Sequence, residues 1–111
     1  MPTELVLLSE VELTSLTIIR AGAVDHPNGT LIEYRGGEIR QLIDDQGRAL
    51  LSVYRTRPVA VAREAAAAIV DPPKAFGLWT DLAIPFGDPT AGRAVAQAIA
   101  DAVGGVIKDR I

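Results

Sequence analysis

The sequence predicts a single α+β domain, a two-layer sandwich with helices packed on one face of a mixed sheet. The last third of the chain alternates as a strand, then has helical spacing, then returns as a short strand. The middle third contains three short strand-like segments separated by glycine-containing turns. The length of 111 residues and the hydrophobic content of 49% suit one core. We therefore expect residues 1–111 to form one domain.

The clearest strand pattern covers residues 76–86. Leu78 and Leu82 fall on one side of this segment, whereas Trp79 and Asp81 fall on the other. Such alternation is typical of a strand whose two faces lie in different environments.

A helix and a short strand follow in the sequence. Asp88 is suited to the N-cap, and residues 91–103 carry apolar side chains at helical spacing. Gly104 supplies a left-handed helix stop, after which Val106-Ile107 returns as a strand. This order predicts a βαβ unit with two parallel strands.

The N-terminal third is more ambiguous. Residues 4–8 have the composition of a short buried strand, and Ser9 with Glu12 fits a capping box. The predicted helix continues to about Val24, and its apolar positions are Leu13, Leu16, Ile19 and Ala23. Its many β-branched residues leave a long strand open as an alternative.

The middle of the chain is predicted to form an antiparallel meander. Its three strands are residues 30–35, 38–43 and 48–56. Gly36-Gly37 fits a two-residue hairpin turn, and residues 44–47 fit a longer turn with Gly47 in the left-handed conformation. A short helix is expected over residues 61–70.

Composition excludes several classes of function. The formal net charge of −3 and the pI near 5.0 argue against a nucleic-acid partner. There is no cysteine for disulfides, thiolate chemistry or zinc binding. The apolar run near the N-terminus is too short for a signal peptide or a membrane span, so a cytoplasmic location is expected. Arginine and alanine are abundant, which suggests a bacterial source.

The arginine-bearing meander is the first candidate binding surface. Arginine and tyrosine often anchor protein interfaces. The candidate residues on these strands are Tyr34, Arg35, Arg40, Tyr54, Arg55 and Arg57. The alternative is that the arginine side chains cover the sheet and pair with Glu33 and Glu38 across strands.

Trp79 and Asp81 form the second candidate site. A carboxylate beside an indole in an apolar pocket can serve as a general acid or base. Glu33 or Asp109 could supply a second carboxylate. The alternative is a Trp79 that packs under a helix, with Asp81 at the rim of the sheet.

Two further features point to no site. Residues 87–94 have the spacing of a phosphate-binding loop, but Arg93 and Ala94 replace its lysine and its hydroxyl residue, and helix capping explains the segment. His26 is the only histidine, and it lies in a turn sequence. We therefore predict no cofactor and no metal site.

The sequence favours a non-catalytic module that binds another protein or itself, as inhibitor- and immunity-like proteins do. A homodimer is one form that such association could take. The alternatives are a small-ligand-binding regulatory subunit and, less favoured, a small enzyme that uses Asp81 beside Trp79.

Overall fold

The structure, a computed structural model, describes residues 2–59, 77–85 and 87–110. The helix predicted over residues 61–70 lies outside the described residues. In chain order the described elements are β1 (Thr3–Ser9), α1 (Ser15–Ala23), β2 (Thr30–Tyr34), a 3₁₀ turn (Arg35–Gly37), β3 (Ile39–Ile43), β4 (Ala49–Tyr54), β5 (Arg57–Pro58), β6 (Leu78–Ile84), α2 (Thr90–Val103) and β7 (Val106–Asp109).

The described strands form one sheet in the order β2-β3-β4-β6-β1-β7, and β5 also pairs with β6. Val53 lies opposite Leu82, whereas Arg57 lies opposite Trp79, so one extra residue separates the two pairings. A bulge of this kind bends a strand locally. β4 and β5 therefore act as one irregular strand along β6. The predicted α+β class, with helices on a sheet, is confirmed.

The prediction of a mixed sheet is wrong, because every described pairing is antiparallel. β6 and β7 do run in the same direction, as predicted for the βαβ unit. They do not pair with each other, because β1 lies between them and is antiparallel to both. The unit is thus a split βαβ arrangement in which α2 crosses over β1.

The position of β1 follows from its side chains. Leu5, Val6, Leu7 and Leu8 are each at most 1% exposed, so both faces of this strand are buried. Leu5 and Leu7 join the core beneath the helices, together with Leu82, Ile18 of α1 and Ile99 of α2. Val6 and Leu8 lie on the opposite face. A strand that is apolar on both sides belongs at the centre of a sheet.

The helix that follows β1 starts later than predicted. β1 continues to Ser9, whose Oγ donates to the carbonyl of Val11 at 2.9 Å, so the predicted capping box does not form. Thr14 is the N-cap instead, and its Oγ1 accepts from the Thr17 N–H at 3.2 Å. The strand alternative is excluded for Ser15–Ala23.

The burial of α1 also differs from the predicted pattern. Ile18, Ala21 and Gly22 face the core. Leu16 remains 54% exposed and Ile19 remains 45% exposed. Because apolar residues surround this short helix, their spacing did not identify the buried side.

The two meander turns differ in how well they match the prediction. The first is a four-residue turn, since Tyr34 and Ile39 are the last paired residues. Arg35, Gly36 and Gly37 all have positive φ, at 51°, 67° and 94°. The second turn agrees with the prediction, with Gly47 at φ 79°.

An aspartate supports the second turn and another supports the start of α2. Asp44 accepts the N–H groups of Arg48 and Gln46 at 2.8 and 2.9 Å, and these bonds, that of Arg48 foremost, lower its pKa. Asp88 lies one residue before the N-cap and accepts both the hydroxyl and the N–H of Thr90. The hydroxyl bond, followed by the N–H bond, lowers the pKa of Asp88.

We predict that Gly92→Ala lowers stability although alanine is favoured over glycine in helices by about 1 kcal/mol. An added Cβ would lie 2.6 Å from the carbonyl oxygen of Leu50 and 2.9 Å from the side chain of Ile84. Overpacking of this kind costs about 1–3 kcal/mol, which urea unfolding would measure. Gly22→Ala is the control, since it meets the flexible end of Leu42 and should cost less. A Gly92→Ala protein as stable as the wild type would contradict the packing.

We predict that Asp88→Ala lowers the melting temperature at neutral pH and that the loss shrinks in acid. The folded-state pKa of Asp88 lies below its usual value of 3.8, so its stabilisation is complete above that pH. It disappears as the pH falls through the folded-state pKa. Asp88→Asn, which keeps an uncharged acceptor, is the control and should lose less. A difference that stays constant down to strongly acid pH would contradict this role.

Candidate functional site

One side of the meander presents aromatic and aliphatic side chains to solvent. The cross-strand register places Tyr34, Ile39 and Tyr54 in one row across β2, β3 and β4. Tyr34 is 46% exposed, Tyr54 is 39% exposed, and Ile32 on the same side is 37% exposed. We call these four residues the tyrosine face. It lies on the side of the sheet opposite α1 and α2.

Arg40 lies on the helix side of the sheet, away from the tyrosine face. Its register partner is Val53, which is fully buried in the core beneath the helices. Arg40 Nη1 donates to Ser15 Oγ at 3.1 Å, and Ser15 Oγ donates to Glu33 Oε1 at 2.9 Å. These bonds join the start of α1 to β2 and β3, so the role of Arg40 is to hold the helix on the sheet.

The other meander arginines are also dispersed. Arg55 pairs with Glu38 at 3.6 Å, with both side chains largely exposed, and Arg35 lies in the first turn. The two tyrosines therefore share a face, whereas Arg35, Arg40 and Arg55 do not join them. For Arg55 the structure matches the alternative of a cross-strand ion pair, and such exposed pairs contribute little.

Arg57, Trp79 and Asp81 do come together, on the same side of the sheet as the tyrosine face and next to Tyr54. The Arg57 guanidinium lies 5.4 Å from the centre of the Trp79 ring, and its Nη2 is 3.9 Å from Asp81 Oδ2. Trp79 Nε1 donates to Asp81 Oδ1 at 3.0 Å. Arg110 Nη1 donates to the same oxygen at 2.8 Å. Asp81 is thus the centre of an ion-pair network.

This network borders an open depression of about 190 Å³. Its charged and aromatic lining consists of Glu4, Tyr54, Asp81 and Arg110. Trp79 and Arg110 both donate to Asp81 Oδ1. A carboxylate held in this way suits a structural role better than the role of a general base. Trp79 is 4% exposed, and Asp81, with 30% of its side chain exposed, lies at the rim of the sheet as the alternative held. Trp79 lies opposite Leu8, on the side of the sheet away from α1 and α2, so it does not pack under either described helix.

The two carboxylates considered as partners of Asp81 lie elsewhere. Glu33 belongs to the Arg40 cluster, and Asp109 pairs with Arg93 at 3.0 Å. Glu4 and Arg110 were not among the predicted residues, but the structure brings both to the depression. Their proximity depends on β7 pairing beside β1, where the Arg110 N–H donates to the Glu4 carbonyl at 3.1 Å. No local pattern in the sequence signals that pairing.

The remaining sequence features have structural roles. The N–H of His26 donates to the carbonyl of Gly22 at 2.9 Å, which places this histidine in the turn after α1. Asp88 occupies the start of α2 in the loop that resembled a phosphate-binding segment. Within residues 2–59, 77–85 and 87–110, no group of three histidine, aspartate or glutamate residues could hold a metal ion. No helix in these ranges is long and apolar enough to cross a membrane.

We predict that Arg110→Ala destabilises the protein more than Arg55→Ala does. Loss of Arg110 removes a hydrogen bond to a half-buried carboxylate, which should cost about 1 kcal/mol. Loss of the exposed Arg55–Glu38 pair should cost less than about 0.5 kcal/mol. Unfolding can be followed by fluorescence, since Trp79 is the only tryptophan and contacts Asp81. Equal losses would show that Arg110 does not support the network.

Comparison with known proteins gives no family assignment. No protein-family model, curated protein or solved structure matches the chain. Its function must therefore be argued from the tyrosine face, the sheet edges and the Asp81 network.

Proposed function

We propose that the chain is a non-catalytic protein-binding module that takes an extended segment of a partner as an additional strand beside β2. The proposal rests on the edge position of β2. This strand ends the sheet among the described strands, and its side chains Ile32 and Tyr34 are exposed. Strand addition uses the free backbone groups of such an edge for affinity and the side chains beside them for specificity.

The two edges of the described sheet differ in how they discourage strand addition. β7 has four residues, includes Lys108, and its Asp109 is paired with Arg93. Short edge strands and lysine are common devices against unwanted pairing. β2 has five residues, with neither lysine nor proline. The less protected of the two edges is therefore the one that adjoins the tyrosine face.

The tyrosine face supplies anchoring groups next to this edge. Tyrosine offers a large apolar ring and a hydroxyl at a low cost in side-chain entropy. A strand paired with β2 would place alternate side chains beside Ile32 and Tyr34, since side chains on one face of a sheet lie next to their cross-strand neighbours. Tyr54 extends the contact surface two strands farther into the sheet.

The support behind β2 favours a preformed edge. Glu33 of β2 is tied through Ser15 to Arg40 of β3, so the strand is held to both its neighbour and α1. An edge that is ordered before binding loses less conformational entropy on association. From the composition, we place this activity in a bacterial cytoplasm.

A small-ligand role is the second candidate, and the depression beside Asp81 supports it. The depression offers a phenol, a guanidinium and two carboxylates. Its volume of about 190 Å³ is below the roughly 300 Å³ at which ligand pockets usually begin. We therefore rank it below protein binding, and an enzyme that uses Asp81 ranks lower still.

The test uses peptides selected from a random display library on the immobilised protein, followed by an NMR titration of the isotope-labelled chain. We expect the peptides to perturb the backbone amides of residues 30–34. Ile32→Lys should weaken binding at least about tenfold, because it places a charge in the apolar contact. Val106→Lys is the matched control, since Val106 is 39% exposed on β7 and Ile32 is 37% exposed on β2.

Three results would overturn the proposal. One is that no selected peptide binds the folded protein in solution. Another is that bound peptides perturb residues away from β2. The third is that Val106→Lys weakens binding as much as Ile32→Lys does. Perturbations confined to Asp81 and Arg110 would instead support the small-ligand candidate.

A further inference from the structure

The edge strand β2 carries two charges of opposite sign beside Ile32 and Tyr34. Glu33 lies between these two residues and belongs to the other side of the strand, which it shares with its register partner Arg40. Arg35 follows Tyr34 directly and is exposed. An added strand would meet both charges, because cross-strand neighbours lie in direct contact. The charges of β2 therefore bear on which segments this edge can take.

Glu33 has room for a second partner. Its Oε1 accepts the hydroxyl of Ser15 at 2.9 Å, and Ser15 accepts from Arg40 at 3.1 Å. Among the described residues, no lysine, arginine or histidine nitrogen lies within 4.0 Å of the Glu33 carboxylate. An ionised carboxylate offers about four acceptor positions. A lysine or arginine directly opposite Glu33 on an added strand would therefore form a favourable cross-strand pair.

Arg35 has a backbone conformation that is unusual for a residue with a side chain. Its φ is 51°, in the left-handed region that glycine and asparagine adopt most readily. Gly36 and Gly37, in the same turn, also have positive φ. Among the described residues, Arg35 has no carboxylate within 4.0 Å. The turn explains the two glycines, but it does not explain an arginine at the end of the edge strand. Strained residues of this kind cluster at ligand-binding sites.

Arg55 provides a comparison at the same end of the meander. It follows Tyr54 as Arg35 follows Tyr34, and it pairs with Glu38 at 3.6 Å. The cross-strand register places Tyr54 two strands inward from Tyr34. Two strand spacings make Arg55 about 10 Å more distant from an added strand than Arg35. Arg55 is thus a matched cation that an added strand would not contact.

We propose that the segment which β2 takes has the order acidic, apolar, basic, apolar from its N-terminal to its C-terminal end. Antiparallel pairing sets this order, because it is slightly more stable per residue than parallel pairing and every described pairing in the sheet is antiparallel. The four partner residues then lie beside Arg35, Tyr34, Glu33 and Ile32 in turn. The inference rests on the proposed function, since it names the chemistry of the partner at the same edge.

The first experiment compares two peptides of identical composition. The peptides selected on the immobilised protein should share the proposed order, and the tightest of them is resynthesised with its acidic and basic residues exchanged. We expect the exchange to weaken binding about fivefold or more at low salt, because each peptide charge then faces a like charge. At about 1 M salt the difference should fall below about twofold, since the Debye length is then about 3 Å.

The second experiment assigns each peptide charge to its partner on the protein. Arg35→Glu should weaken the selected peptide about fivefold, and lysine in place of the acidic residue of the peptide should restore binding to this variant. Arg55→Glu changes the net charge equally and should leave the affinity within about twofold of the wild type. Glu33→Gln keeps an acceptor for Ser15 and should remove the preference for a basic residue. Melting temperatures verify that each variant is folded.

The outcomes separate this inference from the proposed function. Selected peptides that perturb residues 30–34 without the proposed charge order would overturn the inference alone. So would equal binding of the exchanged peptide, or a loss with Arg55→Glu as large as that with Arg35→Glu. Peptides that bind away from β2 would overturn both. A concentration-dependent increase in the mass of the protein alone, which the peptide abolishes, would make a second copy the occupant of β2 and would also overturn the inference.

Discussion

The insertion of β1 between β6 and β7 is the constraint on which the rest of the fold depends. β1 pairs with β6 over seven residues and with β7 over four, and its residues Leu5–Leu8 are buried on both faces. Removing four such side chains from water contributes about 6–12 kcal/mol, which is comparable with the whole net stability of a small domain. The strand therefore separates β6 from β7 and obliges α2 to cross over it.

The functional surfaces arise at the periphery of this arrangement. Outward from β1 and β6, the meander places β2 at the end of the described sheet, where its backbone has no described neighbour on one side. α1 is held over β2 and β3 by the close approach of Gly22 to Leu42 and by the Ser15–Arg40 bond. The same contacts that fix α1 leave Leu16 and Ile19 on its outer side.

The elements that were predicted correctly are those set by interactions between residues close in the sequence. Alternation identified β6, and Gly104, at φ 66°, ends α2 as expected. The βαβ direction was also correct. The insertion of β1 was not predictable, because pairing between residues 3–9 and 106–109 depends on contacts across almost the whole chain. The start of α1 was misplaced, because Ser9 and Glu12 match a capping box although β1 extends through Ser9.

Contacts in the candidate site could likewise be predicted only where they join residues close in the sequence. Trp79 and Asp81 were grouped correctly, because they are two residues apart on one strand. Arg57 was among the candidates, but its contact with them depends on the bulge between β4 and β5. Arg110 reaches Asp81 only through the placement of β7. The arginines of the meander could not be assigned to faces from the sequence, since neither side of those strands is uniformly polar.

Native-state hydrogen exchange tests the central claim most directly, because it reports the free energy of opening at each amide. If β1 organises the sheet and β2 is its open edge, the amides of Leu5–Leu8 should exchange only through global unfolding. The amides of Thr30–Tyr34 should then include the fastest-exchanging strand positions. Equal protection in β1 and β2, or early opening of β1, would contradict both the central position of β1 and the availability of β2 for a partner strand.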